Sequence, residues 1–316
     1  MDIQLVINQM AVLFILIAVG YFTGKIKMLA TDGVNILSKV VLNISTPCMI
    51  LNSVMGNTEN IAGGKIAYFM LLVLLAYVIF FLIAIPAGRI LGQVGRGNGS
   101  VVPKLQNNSG LYASMILFGN VGFMGFPVVN AIFGSESLFF AALLNVIFNL
   151  LLFSVGIILI SGKKGAINYK LLLNATIIAA FISFIIVFTG FRAPTIISDA
   201  IALVSGTTVP CAMLVIGATL SQIPVREVFN KWQLYPAALL KMVAVPIVTW
   251  LVFKQFVTDE LMLGVLTVLS GMPVAAVVAI IPIEYGGDDR TASGGVFLTT
   301  LLSAVTIPLI VYLLLT

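Results

Sequence analysis

Ten stretches of about twenty apolar residues, separated by short polar connectors, constrain this chain more than any other feature. They run over about 5–22, 33–55, 65–91, 109–132, 137–161, 171–190, 195–220, 232–253, 259–283 and 293–315. A helix crossing the hydrocarbon core of a bilayer needs roughly 20 apolar residues, so each stretch has the length of one crossing. Composition agrees. A water-soluble domain is about half apolar and about a quarter charged; this chain is 60% apolar and 9% charged. Its 316 residues are used up by the spans and their connectors. The expected fold class is therefore an all-α integral membrane protein of ten transmembrane helices.

Histidine is absent from the sequence. That removes Ser–His and Cys–His dyads and every histidine metal site. Cys48 and Cys211 both sit inside apolar stretches, so neither a disulfide framework nor a zinc cluster is expected. Asp288-Asp289 is an isolated acidic pair followed by Arg290, not an aspartate-rich prenyl-transfer motif. The expectation is a protein that is not an enzyme and takes no metal or cofactor. The opening Met-Asp-Ile-Gln lacks the basic flank of a signal peptide, and the first span is expected to be retained.

The net charge of +5 reads as loop orientation and not as nucleic-acid binding. With ten spans, Lys65, Arg192 and Lys254 fall on the side of the termini. Lys25, Lys27, Arg89, Arg96, Lys104, Lys163, Lys164, Lys170, Arg226, Lys231 and Arg290 fall on the other. Positive residues favour the cytoplasmic side, so both termini are expected outside a plasma membrane.

The two halves echo each other. Ser45-Thr46-Pro47-Cys48 in the second span resembles Thr208-Val209-Pro210-Cys211 in the seventh, and Gly125-Phe126-Pro127-Val128 in the fourth resembles Gly271-Met272-Pro273-Val274 in the ninth. The echo divides the chain into five-helix units, 1–161 and 171–316, joined by a short cytoplasmic connector, 162–170. Five crossings are an odd number, so the second unit enters the membrane inverted, as in many secondary transporters.

Proline and glycine inside a span free backbone groups that lipid cannot satisfy. The fourth span, with Asn120, Gly122, Gly125 and Pro127, is the strongest candidate for a broken helix. The ninth, with Gly271, Pro273 and Pro282, is a second one whose break lies anywhere from Ser270 to Pro282. Two half-helix N-termini at mid-membrane would form a site for a carboxylate. Asn43, Asn145 and Thr208 are neutral polar candidates for the same site, and Ser303 with Thr207 for an ion. For any one of these, a bond to a neighbouring helix is the competing assignment. Lys39 reaches the cytoplasmic surface; Lys241 lies deeper and is the one ambiguous interior charge. No Asp or Glu falls near the middle of a span, which leaves a carboxylate proton relay without a carrier.

Three segments, Asn120-x-Gly-x-x-Gly-x-Pro127, Glu284-Tyr285-Gly286-Gly287-Asp288 and Leu301–Pro308, resemble the auxin efflux carrier family of permeases. The resemblance covers essentially the whole chain. It implies an inverted 5+5 repeat like that of bile-acid symporters and sodium–proton antiporters, in which broken helices four and nine cross and substrate binds beside the crossing. Asn120 and Pro127 would then be crossover residues of the fourth helix and Pro273 of the ninth. Bacterial members are described as malate or malonate permeases, plant members as auxin exporters. The large insert of the plant members is reduced here to Ser161–Lys170, and the ninth span has no asparagine matching Asn120. The resulting expectation is a secondary transporter of a small organic anion, one five-helix unit rocking against the other. A sodium-coupled symporter, or a channel or sensor on the same scaffold, is the alternative. The expected partners are the anion and membrane lipid, with no nucleic acid; a homodimer is left open.

Overall fold

The computed structural model describes residues 3–55, 63–94, 108–161, 174–223, 228–285 and 287–315. The expected connector 162–170 and most of the loop after the third span lie outside these residues. Within them, regular structure is helical. Seven helices are long and apolar enough to cross a membrane, and Val121–Phe133, Ala175–Thr189 and Glu260–Ser270 are shorter apolar helices.

In chain order, α1 is Ile3–Lys25, α2 Thr31–Val40, α3 Thr46–Met55 and α4 Gly63–Val94. The fourth apolar stretch forms α5, Ser109–Leu117, and α6, Phe126–Phe133; the fifth forms α7, Glu136–Leu151, and α8, Ile157–Ser161. Then come α9, Ala175–Thr189, α10, Thr195–Gly206, and α11, Thr208–Ser221. The last elements are α12, Leu234–Leu239, α13, Val245–Phe253, α14, Glu260–Ser270, α15, Ala276–Tyr285, and α16, Asp289–Leu315.

Three prolines act on the backbone in one way. A proline nitrogen cannot donate to the carbonyl four residues back, and its ring crowds that carbonyl. Here Pro47, Pro127 and Pro246 each follow a five-residue π-turn: Val41–Ser45, Val121–Gly125 and Leu240–Ala244. The residue before each proline donates to the carbonyl five back: Thr46 to Val41, Phe126 to Val121, Val245 to Leu240. The wider turn makes room for the ring while keeping the neighbouring backbone bonded, which lipid or a packed interior requires. A fourth π-turn, Leu152–Gly156, has no proline behind it.

The helices pack in two groups that cut across the halves of the chain. In one, α1 lies along α11, and α2 and α3 pack on α9, α10 and α11. This panel combines the first, second, sixth and seventh apolar stretches. In the other, α4 packs on α5, α5 on α8, α6 on α7, α13 on α14, and α16 on α12 and α15. This bundle combines the third to fifth and the eighth to tenth. Inside the panel, α1 and α11 touch backbone to backbone: a Cβ on Gly217 would fall on the Ile17 carbonyl, and one on Gly20 on the Leu214 carbonyl. Small residues permit that approach, which van der Waals packing of membrane helices rewards. The panel meets the bundle mainly through α3 and α9 against α7, and α1 against α6 and α16.

Candidate functional site

The chain leaves regular helix after α5 and again after α14, and the two stretches lie against each other. Helix α5 ends at Leu117, where Phe118 turns to an extended conformation at φ −106° and ψ 99°. Helix α14 ends at Ser270, and regular helix resumes at Ala276. The two intervening stretches pair as a short antiparallel bridge between Gly119 and Val274. The Asn120 N–H donates to the Pro273 carbonyl at 2.7 Å, and the Ala275 N–H to the Phe118 carbonyl at 3.0 Å. The Val274 N–H donates to the Thr299 hydroxyl oxygen at 3.0 Å, while that hydroxyl donates to the Gly295 carbonyl at 2.7 Å. Each break thus supplies partners for the other, which makes non-helical backbone tolerable in an apolar interior.

The residue types follow from this geometry. Asn120 caps the π-turn, its Oδ1 accepting from the Phe123 N–H at 3.2 Å. Aspartate would do the same only by burying a charge. Gly119 leaves little room for a side chain on one flank, because a Cβ there would lie 3.2 Å from the Met272 carbonyl oxygen. Pro273 places its ring in an extended segment, where no helical N–H is lost. The ninth break is therefore at Gly271–Ala275, and Pro282 lies inside α15.

One expectation is corrected. Pro127 is the second residue of α6 and lies outside the break, ten residues after Leu117, whereas Pro273 comes three after Ser270. The Gly-x-Pro echo is thus seven residues out of step between the two broken helices. Gly-x-Pro marks backbone that is readily widened or broken; it does not say which of the two occurs.

Lys241 lies in the π-turn between α12 and α13 and is 1% exposed. Its Nζ donates to the Ser270 carbonyl, the last of α14, at 3.1 Å. The same nitrogen is 6.0 Å from the centre of the Phe80 ring and would be 3.1 Å from a Cβ on Gly119. The ambiguous interior charge of the sequence is buried at the crossing.

A cavity of about 520 Å³ reaches the crossing from one end of the molecule. Its inner end includes Asn120, Ala276 and Thr300; its outer end includes Thr31, Gln222, Asp289 and Arg290. Between them the panel contributes Asn35, Ser38 and Thr219, the bundle Phe123 and Ser293, among mostly aliphatic neighbours. Asn120 and Ala276 stand where the second half of each broken helix begins, so both half-helix N-termini border this space.

Of the residues expected at a binding site, Asn120 alone lines the cavity. Pro273 and Gly271 belong to the ninth break, and Gly122 and Gly125 to the π-turn after Asn120, with Gly125 against Leu269 and Gly271 against Pro246. Asn43 donates to the Lys39 carbonyl on an exposed face. Asn145 is buried in α7, its carbonyl accepting from Asn149. The Thr208 hydroxyl is buried with no partner. Of the two ion-site candidates, Ser303 donates to the Thr300 carbonyl at 2.6 Å, and Thr207 bonds Ser45 and the Val204 carbonyl. The panel wall was missed. Its signal was a polar stripe, Thr31, Asn35 and Ser38, four and three apart on one helix face. Among the described residues no cluster of acids and cysteines could hold a metal.

The profile of a family described as membrane transport protein matches residues 5–170 and 164–311. An uncharacterized transporter of Methanocaldococcus jannaschii is 27% identical, the alignment covering 98% of this chain and 97% of the relative. A second, of Methanothermobacter thermautotrophicus, is also 27% identical, over 93% and 94%. A Rhizobium meliloti protein named "Putative malonate transporter" is 23% identical, over 95% of this chain and 93% of its own.

Proposed function

Because the chain belongs to the membrane transport protein family, the auxin efflux carriers that its motifs resemble, we propose that it is a secondary transporter of a small organic anion. The anion binds where the cavity meets the crossing, and access alternates between the two faces of the membrane. One observation carries this reading: the cavity ends on Asn120 and Ala276, the starts of two half-helices. A helix N-terminus carries roughly +0.5 charge and directs N–H groups outward, so two of them match one carboxylate. The Asn120 side chain stands beside that point.

The cavity opens at the end bearing Lys25, Lys27, Arg89, Lys231 and Arg290, which by the charge bias is the cytoplasmic side of a plasma membrane. The arrangement would then be the inward-open state of a ten-span, inverted-repeat carrier. The moving parts are the panel and the bundle, in place of the two five-helix units expected from the repeat. Rocking of those units would separate α1 from α11, whose backbones touch. A negative-inside potential of 100 mV favours exit of a monoanion by about 2.3 kcal/mol, so uptake needs a gradient or a coupled ion.

Radiolabelled malonate and malate uptake into proteoliposomes tests the proposal. Saturable uptake with counterflow is expected, and Asn120→Ala should lower its initial rate about tenfold by removing the cap and a polar contact. Flux that rises linearly with gradient and shows no counterflow would mean a channel instead.

A further inference from the structure

The crossing brings four helix ends together, and on charge alone they should cancel. Two C-terminal ends, of α5 and α14, carry roughly −0.5 each; two N-terminal ends, before α6 and at α15, carry roughly +0.5 each. An anion would then meet a site of no net charge. Lys241 breaks the balance. Its ammonium donates to the terminal Ser270 carbonyl of α14 and lies against Gly119, two residues beyond the end of α5. When protonated, Lys241 sets one positive charge against two half-charges of opposite sign. No described carboxylate forms an ion pair with it, so the helix ends and the Phe80 ring face are its counterparts. It is not among the residues that line the cavity.

We infer that Lys241 is the positioning charge of the anion site: it neutralises the two C-terminal helix ends at the crossing and leaves the two N-terminal ends to act on the cavity as a net charge of about +1. The inference rests on the anion-transport reading and adds a residue that does not touch the anion. It explains why a buried lysine, costly in an apolar interior, stands at the crossing and not in the cavity wall. The π-turn at Leu240–Ala244, widened ahead of Pro246, carries this side chain.

The test compares two probes of similar size and different charge, malonate and its monoamide. Binding of each to purified protein is measured by thermal shift and calorimetry, with wild type, Lys241→Gln, Lys241→Arg and Gly119→Ala. Glutamine keeps a donor for the Ser270 carbonyl and loses the charge. The expected result is that Lys241→Gln weakens malonate about tenfold and its monoamide several-fold less, because the Coulomb term scales with ligand charge. Lys241→Arg should restore the wild-type ratio. Gly119→Ala, which crowds the ammonium without removing it, should move the ratio the same way by a smaller factor. It supplies the answer if Lys241→Gln does not fold. An unchanged ratio of the two affinities in Lys241→Gln, or in Gly119→Ala when only that variant folds, would overturn the inference while leaving anion transport intact. A wild type that binds neither probe would overturn the anion reading and this inference with it.

Discussion

At the scale of single residues, Asp288 shows how much depends on where a helix starts. Its carboxylate accepts from the Thr291 N–H at 2.8 Å and from Asn108 at 3.0 Å, bonds the Thr291 hydroxyl, and pairs with Lys231 at 3.4 Å. It therefore caps α16 and ties that end to the beginnings of α5 and α12. Burial alone would raise its pKa; the Thr291 hydroxyl and N–H, Lys231 and Asn108 outweigh burial and hold the carboxyl below its ordinary value. A depressed pKa contributes stability that is fully present above the unfolded value of about 3.9 and is lost as pH falls through the folded value. Asp288→Asn should thus cost about 1–2 kcal/mol at pH 7 and progressively less below about pH 4. Thermal unfolding in detergent at both pH values checks this; an equal loss at each would mean that the charge plays no part. In the sequence Asp288 stood only in a family motif and an acidic pair. The tenth span was expected from 293, four residues after the helix begins at Asp289, because apolar length marks the membrane and not the cap.

At the scale of elements, the apolar stretches were legible to within a few residues of the helices that form there, since hydrocarbon thickness fixes their length. The region of the fourth span that leaves the regular α-helix was legible too, because three glycines, an asparagine and a proline gather there, although the proline lies beyond the break. The π-turns were not: proline announces a missing donor, but whether the chain kinks, widens or breaks depends on what lies beside it. For the same reason Pro127 and Pro273 looked equivalent and are not. Glycine carries a similar ambiguity. Gly217 and Gly206 read alike in sequence, yet a Cβ on Gly217 would strike the Ile17 carbonyl, and one on Gly206 would meet nothing within 4 Å. Gly217→Ala should therefore destabilise by about 1–3 kcal/mol through overpacking, while Gly206→Ala should stay within about 0.5 kcal/mol of wild type. Melting curves of the two variants decide it. Similar losses would mean that α1 and α11 have room to separate and do not form one rigid unit.

At the scale of the whole molecule, the repeat and the packing divide the chain differently, and the difference can be measured. The repeat predicts that 1–161 moves against 171–316. The packing predicts that the panel moves against the bundle. Two pairs of positions separate these motions. Thr31 and Gln222 sit 3.4 Å apart through their side-chain oxygens; both belong to the panel but to opposite halves of the chain. Phe123 of the bundle packs against the small panel cluster of Val34, Val215 and Ala218, so Val34 and Phe123 belong to the same half but to different bodies. With Cys48 and Cys211 replaced by serine, each pair is changed to cysteines and cross-linked in proteoliposomes. If panel and bundle are the moving parts, the 34–123 link should cut flux by more than about tenfold, since a conformational step in the cycle is blocked. The 31–222 link should leave flux within about twofold of the reduced protein, and a reductant should restore the first. Rocking of the two five-helix halves requires the opposite pattern: a harmless 34–123 link and a 31–222 link that stops transport.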